Sequence, residues 1–328
     1  MKRLREQLKE GVFSPVYLFY GPEKYLIEVY VKRYIDKIFV GGDTMMNYDK
    51  FDQESKDMDA VLSSLETLPF FASKRVVVLE NMGFFETKNK NRQEALVAKL
   101  EEVKDSVLCI VIEDKIDKRA KLYKYADKTG LCCEFHFLEE NELVRYIMGE
   151  MKKFDIAISL EVGRYFIETV GYELNTVNIE LRKLVDFLGE HKQVEKKDID
   201  EINTKHIEAK IFDLVDALGN KNKQLAFGLL RDMLDVKEPI QRIFVMITRQ
   251  FTLIYQVKLH MEKKSSSDQI AKEVGVPPFV LRKLTGQAGK FDKKDIKRLL
   301  LELHDMEYAS RTGQMDLETG VEMMILGL

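Results

Sequence analysis

The residues with the clearest chemical potential form a short glycine–lysine loop behind an apolar run. Val16–Tyr20 reads VYLFY, and Gly21-Pro22-Glu23-Lys24-Tyr25-Leu26 follows. A phosphate-binding P-loop requires G-x-x-x-x-G-K-[ST]: its glycines let backbone N–H groups wrap the phosphates, its lysine meets the β/γ-phosphates and its hydroxyl holds Mg²⁺. Here the loop is short and the second glycine is missing. Pro22 removes a donor, Glu23 puts negative charge where phosphate would sit, and no Ser or Thr follows Lys24. A hydrolytic strand would also end in two acidic residues, one for Mg²⁺ and one to orient water. The run RVVVL at Arg75–Leu79 instead continues into Glu80-Asn81, and an amide cannot act as a base. Gly21, Lys24, Glu80 and Asn81 therefore read as a degenerate nucleotide site, with no ATPase activity and no cofactor expected. A solvated helix-start lysine is the ordinary alternative for Lys24.

Other chemistry is poorly supported. No G-x-S-x-G, H-E-x-x-H or Rossmann glycine pattern occurs. Cys109, Cys132 and Cys133 contain no C-x-x-C and read as buried, reduced thiols. His136, His191, His206, His260 and His304 lack ligand spacing, so no metal site is expected. Fifty-two basic residues against 55 acidic ones leave a net charge of −3, without the basic surplus of a dedicated nucleic-acid binder. The N-terminus, MKRLREQLKEGVF, has no apolar signal-peptide core, and no apolar run approaches the roughly 18–20 residues that span a bilayer. A cytoplasmic protein without membrane contact is expected.

The elements that must position these residues change character along the chain. Apolar runs at Val16–Tyr20, Arg75–Leu79 and Val107–Ile112 look like strands buried on both faces, with further strands expected at Asn47–Phe51 and Cys132–Phe137. Helical stretches alternate with them at Glu23–Phe39, from Met58 (Met58, Val61, Leu62 and Leu65 share a face), at Asn91–Val103 and at Lys118–Ala126. Past Glu139 the strand signal stops. Helices are expected at Glu139–Phe154, Ser159–Val170, Leu174–Leu188 and after Lys196. Longer ones follow beyond Ala209: Ile240, Ile243, Phe244, Ile247, Phe251 and Ile254 share one face, and Asp292 is placed to cap a helix burying Ile296, Leu299, Leu300 and Leu303. The fold class is thus an N-terminal α/β domain, a mostly parallel sheet with helices on both faces, followed by two all-α domains. The expected limits are residues 1–139, 140–208 and 209–328.

Several segments, in order, resemble one family. VYLFYGPEKYLIE, LPFFASKRVVVLEN and VLCIVIEDKIDKRAKLYK in the first domain, VGYEL and IELRKL in the second, and IFDLVDALGNKN, ITRQFTLIYQVK and IAKEVGVPPFVLRKL in the third are similar to the bacterial DNA polymerase III delta subunit, the clamp-loader delta family. The resemblance implies an AAA+-like first domain, a helical lid and a collar that joins a hetero-oligomeric ring of clamp-loader subunits within the polymerase holoenzyme. It implies a non-hydrolysing member, and it places the amide of Asn175 near where a hydrolysing relative carries a sensor arginine. The Ser-Arg-Cys arginine-finger motif is absent.

The resemblance also maps a sliding-clamp contact onto Leu68, Phe70 and Phe71. Independently, Pro69 ends the preceding helix and leaves these apolar residues on a short, stiff connector. If exposed, they make a hot-spot anchor. An apolar cluster between a helix and a buried strand is equally the make-up of a core, with room for one phenylalanine to face inward. Primed DNA passing a loader suggests phosphate contacts from Lys115, Lys118, Arg119, Lys121 and Lys124, although Glu113, Asp114 and Asp117 among them fit a solvated helix face. Two rival readings stand beside the loader subunit. One is a divergent nucleotide-dependent ATPase or helicase-like protein. The other is a DNA-binding regulator using a helix-turn-helix at Gln269–Leu284, where Ala271, Gly275 and Leu281 fit the pattern but only Arg282 and Lys283 offer base-reading groups.

Overall fold

The computed structural model describes residues 2–39, 46–54, 57–103, 105–202 and 207–327. The chain divides into two compact units, Met1–His136 and Phe137–Leu328.

The first unit runs α1 (Lys2–Glu10), β1 (Val16–Tyr20), α2 (Lys24–Ile38), β2 (Tyr48–Phe51), α3 (Met58–Glu66), β3 (Arg75–Glu80), a 3₁₀ turn at Thr87–Asn89, α4 (Lys90–Val103), β4 (Val107–Glu113), α5 (Lys121–Thr129) and β5 (Leu131–Glu134). The five strands form one parallel sheet in the order β2-β3-β4-β1-β5. The central strands β3, β4 and β1 are buried on both faces, which is why they read as unbroken apolar runs; the edge strands β2 and β5 are only half-buried. Val16, Leu18 and Tyr20 of β1 face the core shared with α3, α4 and α5. Tyr17 and Phe19 point the other way, against Tyr34 of α2, with the Tyr17–Tyr34 ring centroids 4.7 Å apart. From β1 the chain crosses over to β2 at one edge, and from β4 it crosses to β5 at the other. The topological switch point therefore lies between β1 and β4, where open α/β sheets ordinarily hold ligands.

Two boundaries differ by three residues from those expected. The helix expected from Lys118 begins at Lys121, because Asp117 captures the local donors: its carboxylate accepts the Arg119 N–H at 2.9 Å and its carbonyl the Ala120 N–H at 3.0 Å. The last strand stops at Glu134. The Phe135 N–H still bonds Tyr20 O at 2.7 Å, but the Phe135 carbonyl accepts the Glu23 N–H at 3.1 Å, at the start of α2.

The second unit is helical apart from a single bridge, Ala157 to Gln193, among the described residues. It contains α6 (Glu140–Lys152), α7 (Leu160–Val170), α8 (Leu174–Leu188) and α9 (Lys196–Ile202), then α10 (Ile207–Gly219), α11 (Lys223–Asp235), α12 (Ile240–Glu262), α13 (Ser267–Val274), α14 (Pro278–Ala288), α15 (Lys293–Arg311) and α16 (Leu317–Gly327). Ile243, Phe244, Ile247, Phe251, Ile254 and Val257 form the buried stripe of α12 and centre one core. Asp292 does sit at the start of α15, but its side chain makes no capping bond; Asn222 and Ser266 cap α11 and α13 through theirs. Between α13 and α14, Gly275 takes a left-handed turn at φ 76°, as a helix-turn-helix would. Ile270, Ala271, Leu281 and Leu284 bury into the α12 core, so these helices are built into the domain's packing. Among the described residues no helix is long and apolar enough to cross a membrane.

Candidate functional site

The connector between α3 and β3 carries the expected apolar residues, and all of them are exposed: Leu68 is 75%, Phe70 56% and Phe71 96% accessible. Neither phenylalanine faces inward. α3 begins on Asp57, whose carboxylate accepts the Asp59 and Ala60 N–H groups, and ends at Thr67, whose own N–H returns to Ser63 and Ser64. Pro69 follows. Phe71 adopts φ 49°, a left-handed conformation uncommon for a bulky aromatic residue. Its ring meets that of Phe70 edge-on, with centroids 4.5 Å apart.

This loop is braced from β2, where the sequence pattern shows only a strand. The buried Asn47 carboxamide donates to Phe70 O at 2.8 Å and accepts the Phe70 N–H at 2.7 Å. Arg75, at the start of β3, donates to Met46 O at 2.8 Å and pairs with Asp49, which also accepts the Ser64 hydroxyl. No spacing in the sequence links Asn47 or Asp49 to residues 64–75. Parallel pairing of β2 with β3 brings them together.

At the switch point, groups at the strand ends engage one another. Gly21 has φ 121°, and a Cβ there would lie 2.3 Å from Phe135 O, so packing against the exit of β5 already demands glycine. Lys24, on the first turn of α2, pairs with Asp114 just after β4. Asn81, at φ 51°, accepts the Asp114 N–H at 3.0 Å and donates its backbone N–H to Ile112 O at 2.8 Å, tying the ends of β3 and β4 together. Glu80 is held by Lys50 of β2 at 2.6 Å, and that pairing raises the Lys50 pKa. Lys24 and Asn81 thus meet at Asp114, and Lys24, Lys50 and Glu80 line one cavity of about 230 Å³ beside α2 and the ends of β2 and β3.

Known proteins resemble this chain over most of its length. Family models described as "DNA polymerase III, delta subunit" and "DNA polymerase III delta subunit, C-terminal domain" match residues 17–136 and 208–328. The chain belongs to the DNA polymerase III delta-subunit family. DNA polymerase III subunit delta of Bacillus subtilis (strain 168) is 28% identical over 331 residues, covering 98% of this chain and 95% of that protein. A probable DNA polymerase III subunit delta of Aquifex aeolicus (strain VF5) is 24% identical over 305 residues, covering 90% and 86%. The solved Bacillus subtilis DNA clamp loader delta protein matches with a TM-score of 0.82 at 26% identity, covering 99% of this chain and 98% of that one.

Elsewhere in this delta-family chain, Asn175 is exposed on the first turn of α8, in the second unit. Lys115, Lys118, Arg119, Lys121 and Lys124 are all exposed, but only Lys121 and Lys124 lie on α5; the others occupy the loop before it. The Arg119 guanidinium is committed to Asp117 through two hydrogen bonds of 3.0 Å, and Lys118 lies 3.9 Å from Glu134. Cys109 and Cys133 are buried, and burial pushes the Cys109 thiol up to about 12. His206 lies outside the described residues; among those described, no group of His, Cys, Asp or Glu is arranged to hold a metal ion.

One titratable residue does not lie on the solvated helix face expected of it. Glu113 ends β4 at only 5% exposure and accepts the Phe84 N–H at 3.0 Å. Burial pushes its carboxyl up to about 7, against the opposing pull of backbone hydrogen bonds from Phe84 and Gly83; Asp114 and Glu86 add a smaller upward push. A carboxyl with a raised folded-state pKa stabilises the fold while protonated, and that contribution is lost as pH rises through about 7. Glu113→Gln, which stays neutral and keeps an acceptor, is expected to match the wild type in urea unfolding near pH 5. By pH 8 it should be more stable by about 2–3 kcal/mol. A gap that does not widen with pH would exclude a buried carboxyl that ionises in this range.

Proposed function

We propose that this chain binds the sliding clamp in a clamp loader and favours the clamp's open form, while neighbouring subunits bind and hydrolyse ATP. The observation that carries the reading is the triplet Leu68, Phe70 and Phe71, held exposed on a braced connector. Fully burying such side chains contributes about 1.5–3 kcal/mol each, enough for a useful complex once association costs are offset by supporting contacts. In this reading residues 1–139 form the AAA+-like domain, 140–208 the lid and 209–328 the collar that joins other loader subunits. Nucleotide elsewhere shifts the assembly toward a state in which the triplet is accessible; the work on the clamp is then a population shift.

The ion pair between Lys24 and Asp114 and the packing of Gly21 against Phe135 support a subunit that does not bind ATP productively. Exposed Lys115, Lys121 and Lys124, which make no ion pair among the described residues, support a phosphate-directed DNA contact inside the assembled loader.

Three outcomes are expected. Replacing Leu68, Phe70 and Phe71 together by Ala leaves the circular dichroism spectrum and unfolding midpoint nearly unchanged but abolishes co-elution with the sliding clamp in gel filtration; retained co-elution would sink the assignment. Equilibrium titration of the isolated chain with fluorescent ATP shows no saturable binding, and a saturable isotherm would restore the ATPase reading. In the reconstituted loader, Lys115→Glu with Lys121→Glu and Lys124→Glu weakens primed-DNA binding and flattens its salt dependence, the slope changing by about 0.9 for each phosphate no longer neutralised. An unchanged slope removes these lysines from the DNA path.

A further inference from the structure

We infer that Asn47 is the positioning residue of the clamp-contact loop, holding the backbone of Phe70 so that the apolar triplet projects into solvent. The inference rests on the reading of Leu68, Phe70 and Phe71 as the clamp contact, and it adds the group that sets their geometry.

Asn47 is 3% exposed and fixed in place through its own backbone: its carbonyl accepts the Val76 N–H at 2.8 Å, tying it to β3 at the parallel pairing of β2 and β3. Its side chain then reaches the loop that leads into that same strand. The carboxamide satisfies both backbone polar groups of Phe70, giving a hydrogen to the carbonyl at 2.8 Å and accepting one from the N–H at 2.7 Å. A single residue is thereby pinned on both sides, as it would be by a neighbouring strand, although residues 67–74 form no strand. Pro69 restricts the backbone on one side of the pinned residue, and the left-handed turn at Phe71 redirects it on the other. Asp49 adds a second brace by joining Ser64 near the end of α3 to Arg75 at the start of β3.

The chemistry required at position 47 is narrow. Aspartate would keep an acceptor for the Phe70 N–H but bring no donor for its carbonyl, and it would bury a charge near Asp49. Glutamine carries its amide one methylene too far out. Alanine leaves the Phe70 N–H and carbonyl without this partner, in a loop whose apolar side chains would then be free to collapse onto the protein surface.

The test compares variants of the full chain. Asn47→Ala is expected to raise the Kd for the sliding clamp on the order of tenfold or more, at least the loss of one ordinary hydrogen bond. Asn47→Ser, with a short side chain able to serve only one of the two bonds, should fall between, and it stands in if the alanine variant does not fold. Fluorophenylalanine incorporated at Phe70 and Phe71 reports ring order by ¹⁹F NMR. The wild type should give dispersed resonances, and Asn47→Ala averaged ones. Leu122→Ala, a core substitution in α5 away from the loop, serves as a destabilised control with unchanged clamp affinity and ¹⁹F spectrum. Clamp binding by Asn47→Ala at wild-type strength, while the triple-alanine variant fails to bind, overturns this inference alone. Equal weakening by Asn47→Ala and Leu122→Ala would reduce Asn47 to a structural residue and also overturns it. Normal binding by the triple-alanine variant removes the clamp reading and the inference with it.

Discussion

Burial of β1, β3 and β4 on both faces is the constraint from which the rest of the first unit follows. A parallel sheet needs crossover connections, and each crossover helix covers a face, so the central strands carry unbroken apolar runs and almost no polar chemistry. Polar side chains and exposed apolar ones are left to strand ends and connectors. Gly21, Lys24, Asn81, Glu113 and Asp114 all sit at or beyond the C-terminal strand ends, and Leu68, Phe70 and Phe71 sit on a connector that turns from a helix back into the sheet. Where a carboxyl does reach into this buried layer, as Glu113 does, its pKa rises.

The same constraint explains how apolar side chains can remain in solvent. An aromatic pair on a free loop would fold back onto the nearest apolar surface. Here Val61 and Leu65 of the preceding helix and Val77 of the following strand are already buried in the core. The loop backbone is meanwhile held by the Asn47 amide and by the Arg75, Asp49 and Ser64 cluster. Phe71 is thus exposed on a connector whose backbone is hydrogen-bonded at Phe70 and turns left-handed at Phe71, at a local conformational cost.

Local pairing organises the residues at the switch point. The crevice between β1 and β4 is where this topology ordinarily accepts a ligand, and its residues now satisfy one another: Lys24 with Asp114, Asn81 with the Asp114 N–H, and Glu23 N–H with Phe135 O. The close approach of Phe135 requires glycine at position 21, a demand independent of phosphate.

Strand and helix alternation over the first unit, the all-helical remainder and the departure of residues 21–26 from the P-loop pattern were legible in the sequence, because periodicity, buried apolar runs and missing motif residues are local properties. Residues Leu68, Phe70 and Phe71 could be singled out by type and by their place beside Pro69. Whether they were core or surface could not be read from composition, since both use the same side chains. Tertiary structure decided that all three are exposed. It also decided that Lys115, Lys118 and Arg119 precede α5, through the Asp117 turn, and that Asn47 and Asp49 brace a loop distant from them in sequence. Those outcomes depend on which strands pair and in what register. Pairing is a long-range choice made by the sheet as a whole, and it brings β2 beside β3 without any local signature at Asn47.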